Sequence, residues 1–140
     1  MRLWHHEIIR FLPRSQLLAQ WRELNSIFAK EDNHILINYI YDYSPDHLYT
    51  YTKIVIDEFK LRGYTIRSFD KMNRYFAPHH VKIVQNLFEN DHNEEYLEIC
   101  YFNLKEKYIR GQKDFDKERF EALHKYYKVK LQSAERNFLR

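Results

Sequence analysis

Glycine and proline are scarce enough in this chain to restrict its fold class. Two glycines, Gly63 and Gly111, and three prolines, Pro13, Pro45 and Pro78, serve 140 residues. A sheet-rich fold turns about every 8–12 residues and leans on glycine and proline to do so. With so few turn formers a sandwich or barrel has no corners, and the expected class is all-α. The expected architecture is one compact domain over residues 1–140, a bundle of about three main helices plus short ones. Apolar residues make up 44% of the chain, enough for one core, and the length leaves no room for two.

Several environments drop out. No apolar run is long enough to span a bilayer, so no membrane partner is expected. The stretch Met1-Arg2-Leu3-Trp4-His5-His6-Glu7 places charge and histidines where a secretory leader carries its apolar segment. Cys100 is the only cysteine, which excludes an intrachain disulfide and a cysteine-based zinc cage. A reducing, cytoplasmic setting is the default expectation.

Net charge is +3, but it comes in blocks: +3 over 1–30, −5 over 31–59, +5 over 60–82, −5 over 83–98 and +5 over 99–140. Basic blocks folded onto one face would attract a polyanion. Alternation by itself is also what solvated helices produce.

Helix signals follow in order. Leu17, Trp21, Leu24 and Phe28 form one stripe of a helix over about 14–29, opened by Pro13. Its other side carries small residues, Ser15, Ala19 and Ser26. Residues 34–43 have strand propensity but no partner strand, so an ordered connection or short helix is expected there. Ser44, Pro45 and Asp46 open a second helix that Gly63 closes, with Leu48, Thr52, Val55 and Phe59 inward. Short helices are expected at 68–75 and 78–89. A longer one, capped near Asp91, should bury Leu97, Cys100, Tyr101, Leu104 and Tyr108 and stop before Gly111. A last segment starts near Asp114 and turns Phe120, Leu123 and Tyr127 inward.

Few residues point to chemistry on their own. His5-His6 and His79-His80 are adjacent pairs, and neighbours on a regular element point apart, so no metal site is expected. Cys100 lies on an apolar stripe and belongs to the core. The aromatic load is unusual: ten Phe, twelve Tyr and two Trp. Tyrosines beside lysines in His124-Lys125-Tyr126-Tyr127-Lys128 offer flat faces for bases and charges for phosphates. Half-buried tyrosines at a helix edge would look the same.

Three segments, in order, carry a family resemblance. Leu12 to Leu24, ending Trp21-Arg22-Glu23-Leu24, resembles the first helix of the pyrimidine-dimer DNA glycosylases of the phage endonuclease V type, where Arg-Glu-Leu follows an aromatic residue. Phe59-Lys60-Leu61-Arg62-Gly63-Tyr64 is similar to that family's helix end, and Lys125-Tyr126-Tyr127 to its C-terminal Lys-Tyr-Tyr. The opening Met1-Arg2-Leu3-Trp4 resembles bacterial members.

The resemblance implies a DNA repair glycosylase with abasic-site lyase activity on ultraviolet-type pyrimidine dimers, acting as a monomer on double-stranded DNA with a damaged or abasic nucleotide and needing no cofactor. The nucleophile would be the α-amine of the first residue and Glu23 the essential carboxylate. Arg2, Arg22, Gln16, Lys30, Lys125, Tyr126 and Tyr127 would contact DNA. The amine chemistry is sound on its own terms. With a pKa of about 7.8, about a quarter of an α-amine is free base near pH 7.4, against about a thousandth of a lysine.

Two departures bear on the roles. Arg2 is too bulky for removal of the initiator methionine, so the amine would belong to Met1. Ser26 stands where the family has a further arginine, leaving Lys30, one turn on, to compensate. Residues 67–110 match the family poorly. A non-catalytic nucleic-acid-binding domain of the same fold, or a protein-interaction module, remains the alternative. If the catalytic reading holds, the amine and Glu23 share a concave, net-positive surface on which Arg2, Arg22 and Lys125-Tyr126-Tyr127 converge.

Overall fold

A computed structural model describes residues 2–139 of the chain, with side chains up to residue 132. Among the described residues there is no strand. The helices are α1 (Arg14–Ala29), α2 (Pro45–Arg62), α3 (Asp70–Phe76), α4 (Glu94–Ile109) and α5 (Lys117–Leu139), with 3-10 turns at His6–Phe11 and Asn38–Asp42. The all-α expectation holds, and the C-terminal segment makes α5 a fourth long helix.

The first two helices begin and end where their sequences stop supporting them. Pro13 precedes α1 in extended backbone, and extended Lys30 ends it. Leu17, Leu24 and Phe28 are buried, with Trp21 half-buried beside them. Ser44 and Pro45 open α2. Gly63 closes it at φ 76°, a left-handed conformation that a Cβ would strain, so that Tyr64 N–H reaches the Phe59 carbonyl at 2.8 Å. All four expected inward residues, Leu48, Thr52, Val55 and Phe59, are at most 3% exposed. Residues 34–43 form turns that bury Ile37 and Ile40, since the strand propensity finds no partner strand.

Residues 78–89 depart from expectation: they form no helix. Three of the segment's N–H groups are taken by side chains of α2: Lys82 donates to Asp46 at 3.0 Å, Val84 to Thr50 Oγ1 at 2.9 Å and Phe88 to His47 Nδ1 at 2.9 Å. Partners from another element remove the need for internal ones. Buried Phe88 even takes a left-handed φ of 47° to fill its place.

Two helix starts lie later than their acidic residues suggested. Asn93, not Asp91, caps α4 by accepting Tyr96 N–H at 2.9 Å, while Asp91 accepts from Tyr43 Oη at 2.7 Å. Asp116 caps α5 through Arg119 N–H at 2.7 Å. Asp114 caps α1 instead, accepting Ser15 N–H at 2.7 Å.

α1 packs on α2 and α3, α4 packs on α5, and the N-terminal 3-10 turn lies against α2 and α5. The aromatic load is absorbed largely here. Tyr127 stacks on Tyr101 with centroids 4.0 Å apart, Phe120 stacks on Tyr108 at 4.2 Å, and Phe28 meets Phe76 edge-on. No helix among the described residues is long and apolar enough to cross a membrane.

Candidate active site

The polar face of α1 carries Gln16, Gln20 and Glu23 at i, i+4 and i+7, and the non-helical residues 2–5 lie across its second half. Gln20 is the centre of this contact and only 1% exposed. Its Nε2 donates to the Arg2 carbonyl at 3.1 Å and to Glu23 Oε2 at 3.2 Å. Its Oε1 accepts Trp4 N–H at 2.9 Å and lies 2.9 Å from Tyr51 Oη, which also stands 2.6 Å from the Trp4 carbonyl. One amide thus satisfies two buried backbone groups and a carboxylate.

Glu23 is half-buried. Its Oε2 also accepts Arg2 N–H at 3.3 Å. Burial raises the Glu23 pKa above the ordinary carboxylate value; the Arg2 N–H, the Gln20 amide and the Arg22 charge act against that rise without cancelling it. Among the described residues nothing bonds Oε1. From the far side, Tyr96 of α4 donates to the Leu3 carbonyl at 2.5 Å. The Arg2 guanidinium lies over the rings of Trp4 and Tyr96 at about 6 Å.

Next along the segment, His5, His6 and His92 form a stack rather than pointing apart. Their ring centroids are 4.8 to 5.6 Å apart and their planes lie within 27° of parallel. The 3-10 turn that begins at His6 brings the neighbouring rings onto one side. His5 Nδ1 accepts Glu7 N–H at 3.1 Å, which leaves Nε2–H to donate to the His92 carbonyl at 3.0 Å. His92 Nδ1 accepts His6 N–H at 3.2 Å, so its Nε2–H faces Tyr39 Oη at 2.6 Å. Their ligand atoms lie within 4.8 Å of one another. Imidazole lone pairs lie in the ring plane, however, and stacked planes do not meet at one ion.

The other candidate residues divide into two groups. Arg22 is exposed and lines a cleft of about 610 Å³ together with Trp21, Phe59 and Ile66. Arg67 and Lys71 line the same cleft, so two of the basic blocks meet there. Lys30 is exposed just beyond α1. Met1 lies outside the described residues.

The second group is held elsewhere. Gln16 makes a reciprocal amide pair with Gln112, at 3.2 and 2.7 Å, at the N-terminal end of α1. Tyr126 donates to Glu7 at 2.9 Å, and its ring carries the Arg10 guanidinium at 4.8 Å. Tyr127 is 9% exposed in its stack on Tyr101, with no face left for a base. Lys125 is exposed on α5. Thus the structure joins Arg2 to Glu23, whereas the hydrogen bonds of Tyr126 and Tyr127 run to Glu7 and Glu98.

Gln20, Tyr51 and Tyr96 were not singled out from sequence, nor were Arg67 and Lys71. Only Gln20 left a signal, as a polar residue one turn from Gln16 and from Glu23 on a shared face. Cys100 is fully buried, and burial pushes its thiol pKa up, which suits a core residue and not a nucleophile.

No curated protein and no solved structure matches the chain. Residues 1–72 match the family described as pyrimidine dimer DNA glycosylase, and this span contains α1, α2, Gln20, Glu23 and Tyr51. With just over half of its residues in that match, the chain belongs to the pyrimidine dimer DNA glycosylase family.

Proposed function

We propose that this protein cleaves damaged duplex DNA as a combined glycosylase and abasic-site lyase, with the Met1 α-amine as nucleophile and Glu23 as the carboxylate that serves it. The observation that carries the reading is the hydrogen bond from Arg2 N–H to Glu23 Oε2. The α-amine of the preceding residue is three covalent bonds from that nitrogen, so covalent geometry alone keeps it within about 7 Å of that oxygen.

The chemistry needs this pairing. The free amine attacks C1′ of the damaged nucleotide, the glycosidic bond breaks, and the base leaves with the bonding pair and takes up a proton. The amine, now bonded to C1′, gives up one proton, and its lone pair expels O4′, which takes up a proton as the sugar ring opens and a protonated imine forms at C1′. The cationic imine acidifies the C2′ proton; Glu23 accepts it, and the 3′ phosphate departs with the C3′–O electrons. Burial raises the Glu23 pKa, and a carboxylate with a raised pKa is a better base for that step. Arg22 and Lys30 would hold phosphates beside the lesion, and the Arg2 guanidinium would meet the strand at the same end. Arg67 and Lys71 extend the cationic surface around Arg22. Lys125, exposed on α5, would add a more distant phosphate contact, with Gln16 and Tyr126 at the edges of the footprint. No cofactor enters this scheme.

The test is borohydride trapping on duplex DNA carrying a pyrimidine dimer or an abasic site, with chelator present. Reduction of the imine should leave a covalent protein–DNA adduct of one strand. Acetylating the terminus, or placing a tag before Met1, should abolish the adduct with the melting temperature unchanged. A tagged protein that still traps DNA assigns the nucleophile to a lysine. Absence of any adduct on both substrates, with salt-sensitive DNA binding retained, leaves a binding domain without catalysis.

A further inference from the structure

We propose that Gln20 is a positioning residue for this reaction: its side-chain amide fixes the N-terminal peptide against Glu23 and leaves one carboxylate oxygen free to work. The inference rests on the proposed function above.

The amide can sit in only one orientation. Its two N–H groups meet two acceptors, the Arg2 carbonyl and Glu23 Oε2, and its oxygen meets Trp4 N–H and the Tyr51 hydroxyl. Turning it over would set a donor against Trp4 N–H and an oxygen against the carboxylate. The arrangement is therefore a template: one rigid plane holds residues 2 and 4 and the catalytic carboxylate together. Oε2 is occupied by two donors, Gln20 Nε2 and Arg2 N–H, so Oε1 is the oxygen left for proton transfer.

The helix itself needs no amide at position 20, where a leucine would serve as well, but a leucine would leave Trp4 N–H and the Arg2 carbonyl without their partner. The groups that need it all belong to the N-terminal segment and Glu23. Tyr51 braces the amide from α2 and is itself fully buried. A reacting group displaced by about 1 Å costs on the order of 100-fold in rate, the scale of effect expected when such a template is lost.

The experiment is single-turnover borohydride trapping on an abasic-site duplex from pH 5 to 9, with DNA affinity measured in parallel. Gln20→Glu preserves shape and both acceptor contacts but removes the donors and sets a second carboxyl 3.2 Å from Glu23. Two carboxyls this close share a proton. The expected result is DNA affinity within about threefold of wild type, trapping slowed by about 10- to 100-fold at pH 7, and an acid limb moved up by about one pH unit or more. Gln20→Leu should slow trapping similarly. Thr52→Val, which removes a buried hydroxyl bonded to the Leu48 carbonyl on α2, controls for lost stability and should leave rate and pH profile in place. If Gln20→Leu does not fold, Gln20→Glu decides. Wild-type rate and pH profile in Gln20→Glu overturn the proposal. So does a slower rate with an unmoved profile that Thr52→Val reproduces, because that is loss of stability alone. Failure of wild type to trap DNA overturns the proposed function, and the role of Gln20 with it.

Discussion

Acid should destabilise this fold well above the pH at which ordinary carboxylates protonate. His5 and His92 are 1% and 6% exposed, and each is locked as the tautomer whose Nδ1 faces a backbone N–H. Charging either ring would place a second proton against that donor, inside a stack of three imidazoles. Burial is the largest influence on both rings. It pushes His5 down to about 4, aided by the His6 charge and opposed by Glu7 and the His92 carbonyl, and it pushes His92 down to about 2. The unfolded chain takes up these protons near pH 6.5, whereas the folded chain refuses them until far lower. Stability contributed by the two neutral rings is therefore present above about pH 6.5 and is lost as pH falls toward their folded values. Between pH 7 and pH 5 the loss is about 2 kcal/mol for each ring, about 4 kcal/mol together. That is a large part of the 5 to 15 kcal/mol typical of a domain. Glu23, whose pKa burial raises, binds its proton more readily in the folded state and so acts in the opposite direction as pH falls. Urea unfolding followed by circular dichroism at pH 7, 6 and 5 measures the effect. His92→Gln, which can still accept from His6 N–H and donate to Tyr39, should remove about half of it. A wild-type unfolding free energy that changes by less than about 1 kcal/mol over this range refutes the reasoning.

Other consequences can be tested at the bench. Glu23→Gln keeps the Oε2 acceptor and removes the base, so trapping and strand cleavage should fall by about 100- to 10,000-fold while DNA binding persists; full cleavage by this variant would remove Glu23 from the mechanism. Tyr127→Ala should cost about 3 kcal/mol or more in chemical denaturation, because the ring fills the space between α4 and α5. Lys125→Ala, two residues earlier on α5 and exposed, should change stability by less than about 0.5 kcal/mol. It should lower the slope of log affinity against log salt by about one if this lysine meets a phosphate. An unaltered slope would take Lys125 out of the DNA footprint.

The elements legible in sequence were those whose signals are local. Proline, an N-terminal acid and a left-handed glycine mark the bounds of α2, and the stripe Leu17–Leu24–Phe28 marks α1. Cross-chain partners account for the elements that were not. Residues 78–89 look helical until Asp46, Thr50 and His47 claim their N–H groups. Asp114 looks like the start of α5 until it is seen at the N-terminus of α1, 99 residues away. The same limit applied to the site. Glu23 stood out through a short motif, but Gln20 gains its meaning only once residues 2–4 lie across it, and the histidine stack exists only because His92 returns from beyond α3.

Most of the groups that hold the first ten residues are made late. Tyr96 holds Leu3, His92 holds His5 and His6, Tyr126 and Lys130 hold Glu7, and Arg119 reaches the Arg10 carbonyl. Synthesis proceeds from the N-terminus at about 5–20 residues per second, so the segment made first is the last to be fully seated. A ribosome that has released α1, α2 and α3 has made Glu23, Gln20 and the whole span shared with the family, yet not the outer tethers. A product that stops there carries the amine and the carboxylate without the clamp from α4 and α5. A catalytic centre of the kind proposed would therefore be complete only once α4 and α5 have been made and the chain closes on its own beginning.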